Sequence, residues 1–433
     1  MMKKNKIISS LLAQTLVLTL GIGLTRIVQA EAPPSAEEMW KIIQQQQLVI
    51  EQLQSEILQN NQKVEEVAVT VEDAVEAVEV AQTSSGSTWA DKTTVGGYGE
   101  LHYNNLSDDN PSIGGDDSRD RVDFHRFVLY FSHSFTDSIR FFSEFELEHS
   151  LAGDDKPGEI ELEQAWLELD INNQHHVRAG LDILPIGLVS FTHEPNTFYG
   201  VERNTVEAEI IPSTWWEAGI GLNGEVAPGW NYDLIAHSGL AIPTSGSSTL
   251  RPRSGRRKVA EFDDPGFATT GRLRYTGIPG LEVGISGQYQ ADASGKGDDI
   301  DLSATLLEGQ VDYKHSSGFG LRALYARWDF DNTDQLGTSV NQDDLAGWYV
   351  EPAFRFAPGT IPGEIGLFAR YSQYDARDGI TGGNFVEYDS WVVGANWWPH
   401  NQVVFKFDYQ NESADSPADT LRDGFNLGLG YQF

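Results

Sequence analysis

The sequence predicts an all-β chain: a 16-stranded antiparallel transmembrane β-barrel preceded by an N-terminal α-helical coiled coil. The first sign is the run Gly424 to Phe433. Phe425, Leu427, Leu429, Tyr431 and Phe433 alternate there with Asn426, Gly428, Gly430 and Gln432. Period two gives such a strand one greasy face and one polar face. Lipid on one side and water on the other would produce that pattern. The last strand of a soluble sandwich also alternates, so this run is not decisive alone. The second sign is repetition: about sixteen such runs lie between Val95 and Phe433. The third is that short and long connections take turns between them, as the two rims of a membrane barrel require.

Composition agrees. The 433 residues include 43 glycines, no cysteine and a formal net charge of −34. A disulfide framework and thiolate metal sites are excluded. The excess of Asp and Glu argues against a nucleic-acid partner, which needs a basic face. Mean hydropathy is slightly polar, which excludes a bundle of membrane helices but suits a barrel.

Residues 1–30 read as a secretory signal peptide. Lys3, Lys4 and Lys6 precede an apolar run, and Val28-Gln29-Ala30 fits a cleavage site. A membrane anchor is the other reading. Residues 31–81 hold the predicted coiled coil. Ile43, Ile50, Ile57, Val64, Val71 and Val78 recur every seventh residue, a spacing that joins helices in a left-handed supercoil. A single amphipathic helix is the alternative. A trimer fits the barrel best, with Gln46 and Asn60 in the seam fixing register. Residues 82–94 read as a polar linker.

The barrel, 95–433, is expected to place strands near 95–104, 122–133, 138–148, 159–170, 175–184, 214–223, 230–239, 266–275, 281–290, 302–313, 319–330, 345–356, 363–373, 385–398, 402–412 and 423–433. An even number lets first and last strands pair and removes both edges. Long loops are expected at 105–121, 185–213, 240–265, 331–344 and 413–422. Trp397 and Trp398, before a short turn, fit an interfacial aromatic belt.

Parity assigns faces. Phe127, Leu129, Phe131, Phe141, Phe145, Val177, Leu273, Leu367 and Phe405 fall on the lipid side. Arg126, Tyr130, Arg140, Glu144, Glu146, Arg178, Asp182, Arg272, Arg274, Arg370 and Lys406 then face the lumen. A lipid-facing Arg or Lys near mid-bilayer costs ~2–4 kcal/mol, which makes the inward assignment firm. Most inward Arg and Glu are expected to pair and hold the wall. A subset left unpaired at a constriction would set ion preference.

The 185–213 loop is the candidate constriction. It has 29 residues and carries Phe198-Tyr199-Gly200-Val201-Glu202-Arg203; so long a loop with apolar content is uncommon unless it is functional or packed inside something. An external loop packed on neighbouring subunits is the alternative. The 240–265 loop holds the one basic cluster, Arg251, Arg253, Arg256, Arg257 and Lys258, at the expected pore mouth. There it would either concentrate anions or contact lipopolysaccharide phosphates. Asp108, Asp109, Asp116, Asp117 and Asp120 read as a solvated outer loop. Tyr130, Trp166 and Tyr199 are scattered too widely to suggest an aromatic track for sugars. No Ser-His-Asp or metal constellation points to an enzyme, and no cofactor is expected.

Three groups of residues resemble the phosphate-selective porin O and P family. They are Glu163-Gln164-Ala165-Trp166-Leu167-Glu168-Leu169 followed by Val177-Arg178-Ala179-Gly180; Val201-Glu202-Arg203 followed by Glu217 to Gly224; and Val393 to Pro399 with Phe405-Lys406-Phe407-Asp408-Tyr409 and the final Phe433. The resemblance implies a homotrimer of sixteen-stranded barrels in the bacterial outer membrane, passing small anions. The predicted coiled coil is more like that of anion- or sugar-passing porins with a periplasmic extension. Arg126, Arg140, Arg178 and Arg203 are the expected contacts of an anionic solute. The remaining expectations are lipid and lipopolysaccharide around the barrel and a coiled coil in the periplasm; the alternative function is an anchor whose coiled coil tethers the outer membrane to peptidoglycan.

Overall fold

A computed structural model describes residues 88–108, 118–261, 266–295, 300–377, 384–415 and 421–433, together with Trp40. The predicted signal, the coiled coil apart from Trp40, residues 82–87 of the linker, and Asp109, Asp116 and Asp117 lie outside the described residues. The rest of the linker is structured: Trp89–Lys92 form a 3-10 turn that runs straight into the first strand.

Sixteen strands follow: β1 (Thr93–Asp108), β2 (Arg119–Thr136), β3 (Ile139–Glu148), β4 (Ile160–Asp170), β5 (His175–Ile183), β6 (Trp216–Ala227), β7 (Trp230–His237), β8 (Ala268–Ile278), β9 (Leu281–Gln290), β10 (Ser303–Lys314), β11 (Phe319–Asp331), β12 (Asp344–Phe356), β13 (Glu364–Arg377), β14 (Phe385–His400), β15 (Val403–Ala414) and β16 (Arg422–Gln432). Each pairs antiparallel with its chain neighbours, and β1 pairs with β16, closing the barrel. Tyr98 stands opposite Gln432 and Asp108 opposite Arg422. Closure leaves no unpaired edge, the condition for burying backbone polar groups in lipid.

The alternation is visible residue by residue. Phe405, Phe407 and Tyr409 are 43 to 46% exposed, while Lys406 and Asp408 between them are buried. Outward aromatic pairs sit toward both rims. Trp230 with Tyr275 and Trp397 with Phe405 lie at the short-turn end; Tyr371 with Trp391 lies toward the long-loop end. This is the placement expected of interfacial belts. Trp398 corrects the sequence expectation. It is 4% exposed, because adjacent strand residues face opposite sides, and its ring is turned into the barrel.

The interior is not uniformly watery. Inward Leu306, Leu324, Ala326, Trp328, Leu345 and Tyr349, on β10 to β12, form an apolar wall. Against it pack Ile186, Val206, Ile210, Ile211 and Trp215 from the segment after β5, and Leu240, Ile242 and Leu250 from the segment after β7. Two connections therefore fold inward and give the barrel a hydrophobic core of its own, which holds them by burial of apolar area.

Candidate functional site

Residues 184–215 join β5 to β6 as a strap across the lumen. A short helix, α1 (Thr205–Glu209), anchors it. Asn204 caps α1 by accepting a hydrogen bond from Val206 N at 2.7 Å, which satisfies one otherwise orphaned donor. Glu207 is fully buried. It accepts from Tyr349 Oη at 2.6 Å and Val189 N at 2.7 Å. Burial raises its carboxyl above the ordinary range, and those donors pull back only part of the way.

From His193 to Glu202 the strap is fixed to strands all round the barrel. His193 Nε2 lies 3.1 Å from Glu144 on β3 and 3.5 Å from Glu163 on β4. Asn196 donates to Gln432 on β16 at 2.7 Å. Arg322 on β11 donates to Thr197 O at 2.9 Å and Asn396 on β14 to Phe198 O at 3.1 Å. Lys406 Nζ stands 3.5 Å over the Phe198 ring, a cation–π contact. Arg370 donates to Tyr199 O at 2.7 Å, while the Tyr199 ring packs on Phe368 and Trp398 at 5.3 and 5.7 Å. Asp408 accepts from Val201 N at 2.6 Å, and Asn104 on β1 donates to Glu202 at 2.9 Å.

The wall makes room where the strap lies against it. A Cβ on Gly430 would stand 2.3 Å from Pro195, and one on Gly366 would stand 2.7 Å from the Tyr199 ring. Neither distance is tolerable, so these inward positions of β16 and β13 carry no side chain.

Three cavities surround the strap. Two, of about 300 and 310 Å³, lie on the long-loop side and share Glu202 and Arg203. One, of about 510 Å³, lies on the short-turn side beneath Phe198 and Tyr199. The two outer cavities differ in charge. The one beside β1 to β4 is lined by Glu100, Glu146, Glu148, Glu159, Glu161, Glu163 and Glu202, with Arg126, Arg203, Arg253, Arg256 and Lys258. The one beside β13 to β16 is lined by Arg119, Arg203, Arg251, Arg370, Arg377 and Arg422, with Glu202, Glu209, Asp408 and Glu412.

All seven basic strand residues assigned inward by parity do face inward, and six of them pair. Arg126 lies 3.2 Å from Glu100; Arg140 lies 2.9 Å from Glu168 and also meets Asp170. Arg178 bridges Glu168 and Asp182, both at 3.0 Å. Arg272 pairs with Asp233 at 2.8 Å, Arg274 with Glu282 at 3.3 Å and Arg370 with Glu351 at 2.6 Å. Among the described residues, Lys406 and the strap's Arg203 have no carboxylate at ion-pair distance. Arg203 instead donates to Thr214 Oγ1 at 2.7 Å.

The basic cluster is not a free mouth. Arg251 pairs with Glu209 at 2.8 Å. Arg253 donates to Ala208 O and Ser213 O, and Arg256 donates to Pro212 O and Thr214 O. Lys258 meets Glu159 and Glu161. Arg257 alone of the five is exposed. Carbonyls at the end of the strap thus recruit the cluster. Burial and the neighbouring Arg253 push Arg256 down to about 10. For Lys258, burial would lower the ammonium, but the two carboxylates outweigh it and raise it.

Several lining residues escaped the sequence. A bulge in β2 between Asp123 and Arg126 shifts the register against β1, so Arg119 and Arg121 face inward although parity counted from Phe127 sends them out. The aromatic residues are also less scattered than they look. Tyr98, Tyr130, Phe142 and Trp166 sit on adjacent strands with ring centroids 5.9, 5.7 and 5.3 Å apart in turn. Arg178 caps this row 4.0 Å over Trp166. Tyr199 is not part of it.

No family model matches the chain. A protein of Aquifex aeolicus, described only as uncharacterized, is 28% identical over 368 residues, spanning 78% of this chain and 80% of its own. Among solved structures, the anion-selective porin from Comamonas acidovorans superposes with a TM-score of 0.52 at 13% identity, covering 79% of this chain and 99% of that one. OmpF of Salmonella typhi, solved in complex with daunomycin, gives 0.53 at 13%, covering 79% and 97%. The outer membrane channel DcaP of Acinetobacter baumannii gives 0.51 at 13%, with the same coverage. At such identities the likeness is one of fold: this chain folds as the closed sixteen-strand barrel of outer-membrane porins.

Proposed function

We propose that the chain is an outer-membrane porin through which small solutes, preferably anions, diffuse passively. The observation that carries this reading is the strap, which lies across the barrel between outer and inner cavities and brings Arg203 to the place where the two outer cavities meet. A solute enters among the long loops and meets the arginine-lined cavity. Side chains of one sign in a low-dielectric channel concentrate counter-ions. Paired wall arginines contribute little net field; Arg203, with no carboxylate partner, contributes more. Nothing in this route needs an energy source.

Reversal potentials across planar bilayers under a potassium chloride gradient test it. The expected sign is that of chloride preference, reduced by Arg203→Gln. A cation-directed potential overturns the anion part. The row Tyr130, Phe142 and Trp166 favours a second reading, passage of sugars, whose apolar ring faces stack on aromatic side chains. Swelling of liposomes in sugar solutions, lost in Trp166→Ala, would decide for it.

The same reading makes residues 1–30 an export signal. It places the coiled coil of 31–81 in the periplasm of a homotrimer, where it either trimerises the barrels or tethers the envelope to peptidoglycan. Deleting 31–90 separates these: loss of envelope attachment with intact solute uptake favours the tether. Phosphate selectivity, the finer expectation from the family resemblance, is tested by whether phosphate blocks the chloride current.

A further inference from the structure

With ten histidines and no cysteine, this chain offers transition metals imidazole and carboxylate ligands but no thiolate. All ten histidines lie in the barrel; two of them, His125 and His149, meet the carboxylate of Asp123, and a third, His102, stacks beside His125. His102 comes from β1, His125 from β2, and His149 directly follows β3. The β2 bulge lets His125 and its neighbour Arg126 both line the outer cavity, since bulges re-aim side chains. His149 has a φ of 50°, and its backbone N donates to His125 O at 3.1 Å. Its Nδ1 lies 2.8 Å from each oxygen of Asp123. His125 Nδ1 lies 3.5 Å from Asp123 Oδ2. The His102 ring stacks on His125 at 4.6 Å and holds it in place.

One ligand atom from each of Asp123, His125 and His149 falls within 4.8 Å of the other two. A tetrahedral ion with bonds of about 2.0–2.2 Å wants its ligand atoms roughly 3.3–3.5 Å apart. Small side-chain adjustments reach that spacing. The side chains are 25, 14 and 27% exposed for His125, Asp123 and His149, so water and ions reach them. His125 opens on the outer cavity beside β1 to β4, where glutamates outnumber arginine and lysine seven to five, a modest excess that favours cations.

Two other groups of histidine and carboxylates are less suitable. Glu144, Glu163 and His193 are buried under the strap and already clamp it. Glu168, Asp170 and His176 already hold Arg140, whose charge an incoming ion would have to displace.

We propose that Asp123, His125 and His149 bind a divalent transition ion of the zinc, cobalt or nickel class on the wall of the outer cavity. Each imidazole binds through Nδ1 in its neutral form, the carboxylate supplies the third ligand, and water completes the shell. The site stands whether or not the barrel conducts.

The test is calorimetric titration of the folded full chain in detergent with zinc, in excess magnesium. The expected result is saturable binding of one zinc per barrel, with the absorption bands of a tetrahedral nitrogen–oxygen site when cobalt replaces zinc. His125→Ala, His149→Ala and Asp123→Asn should each weaken binding at least about tenfold. His176→Ala should leave it unchanged. Heat-dependent gel mobility checks that each variant is a closed barrel; if His149→Ala fails to fold, His149→Gln replaces it. Absence of saturable zinc binding by the wild type, or wild-type affinity in the His125→Ala/His149→Ala double variant, overturns the proposal.

Discussion

His193 shows how one side chain can fasten a loop. Burial alone would lower its pKa, but Glu144 and Glu163 outweigh burial and hold it well above the usual histidine range. The folded value is raised, so the clamp's stabilisation is fully present below about pH 6.5, the unfolded value. It is lost as pH rises through the higher folded value. Urea midpoints of the wild type should therefore fall on the alkaline side, while those of His193→Gln should be lower at neutral pH and flatter. Arg126 and Arg203 separate structural from functional charge. Arg126 is 4% exposed and faces buried Glu100 and Glu146. Arg126→Gln leaves those carboxylates unpaired and should cost about 3–5 kcal/mol by urea unfolding. Arg203→Gln should leave the urea midpoint nearly unchanged and move the reversal potential instead.

At the scale of the element, the strap depends on the places where the wall is bare. Gly430→Leu puts side-chain atoms where Pro195 lies. The barrel should still close, since β16 keeps its backbone ladder, but the strap should be displaced. Single-channel conductance should then rise and grow noisier, and protease should cut between 190 and 203 in a variant whose strands stay protected. The sequence made the existence of every strand legible, because lipid on one face enforces period two. It also marked 185–213 by length and apolar content. Where the strap goes was not legible, because its partners are single residues on strands far apart in sequence, such as Asn104, Arg322, Arg370 and Asp408. The inward glycines of β16 were read as polar-face positions; their spacing could not say what lies over them. The basic loop misled for a related reason: five charges close together look solvated until the carbonyls of 208–214 are placed beside them.

For the whole molecule, the proposed porin reading makes depth in the membrane the governing variable. Leu427, midway along β16 and 43% exposed, lies between the two aromatic rims. Leu427→Arg should destabilise the barrel in lipid vesicles by ~2–4 kcal/mol, whereas Ile160→Arg, at the long-loop end of β4, should cost ~0–1 kcal/mol. Equal costs would mean that these faces do not meet a bilayer of ordinary thickness. The interior could not be read as completely, because the sequence describes faces and not fillings. The dry wall of β10 to β12 reads as ordinary alternation until Ile210 and Trp215 are set against it. The seam at which Tyr98 meets Gln432 also governs the order of events during biogenesis. The cylinder cannot shut until its last strand has been synthesised and delivered. Until then, bare β1 and each newly added strand are open to aggregation. So distant a pairing makes closure slow.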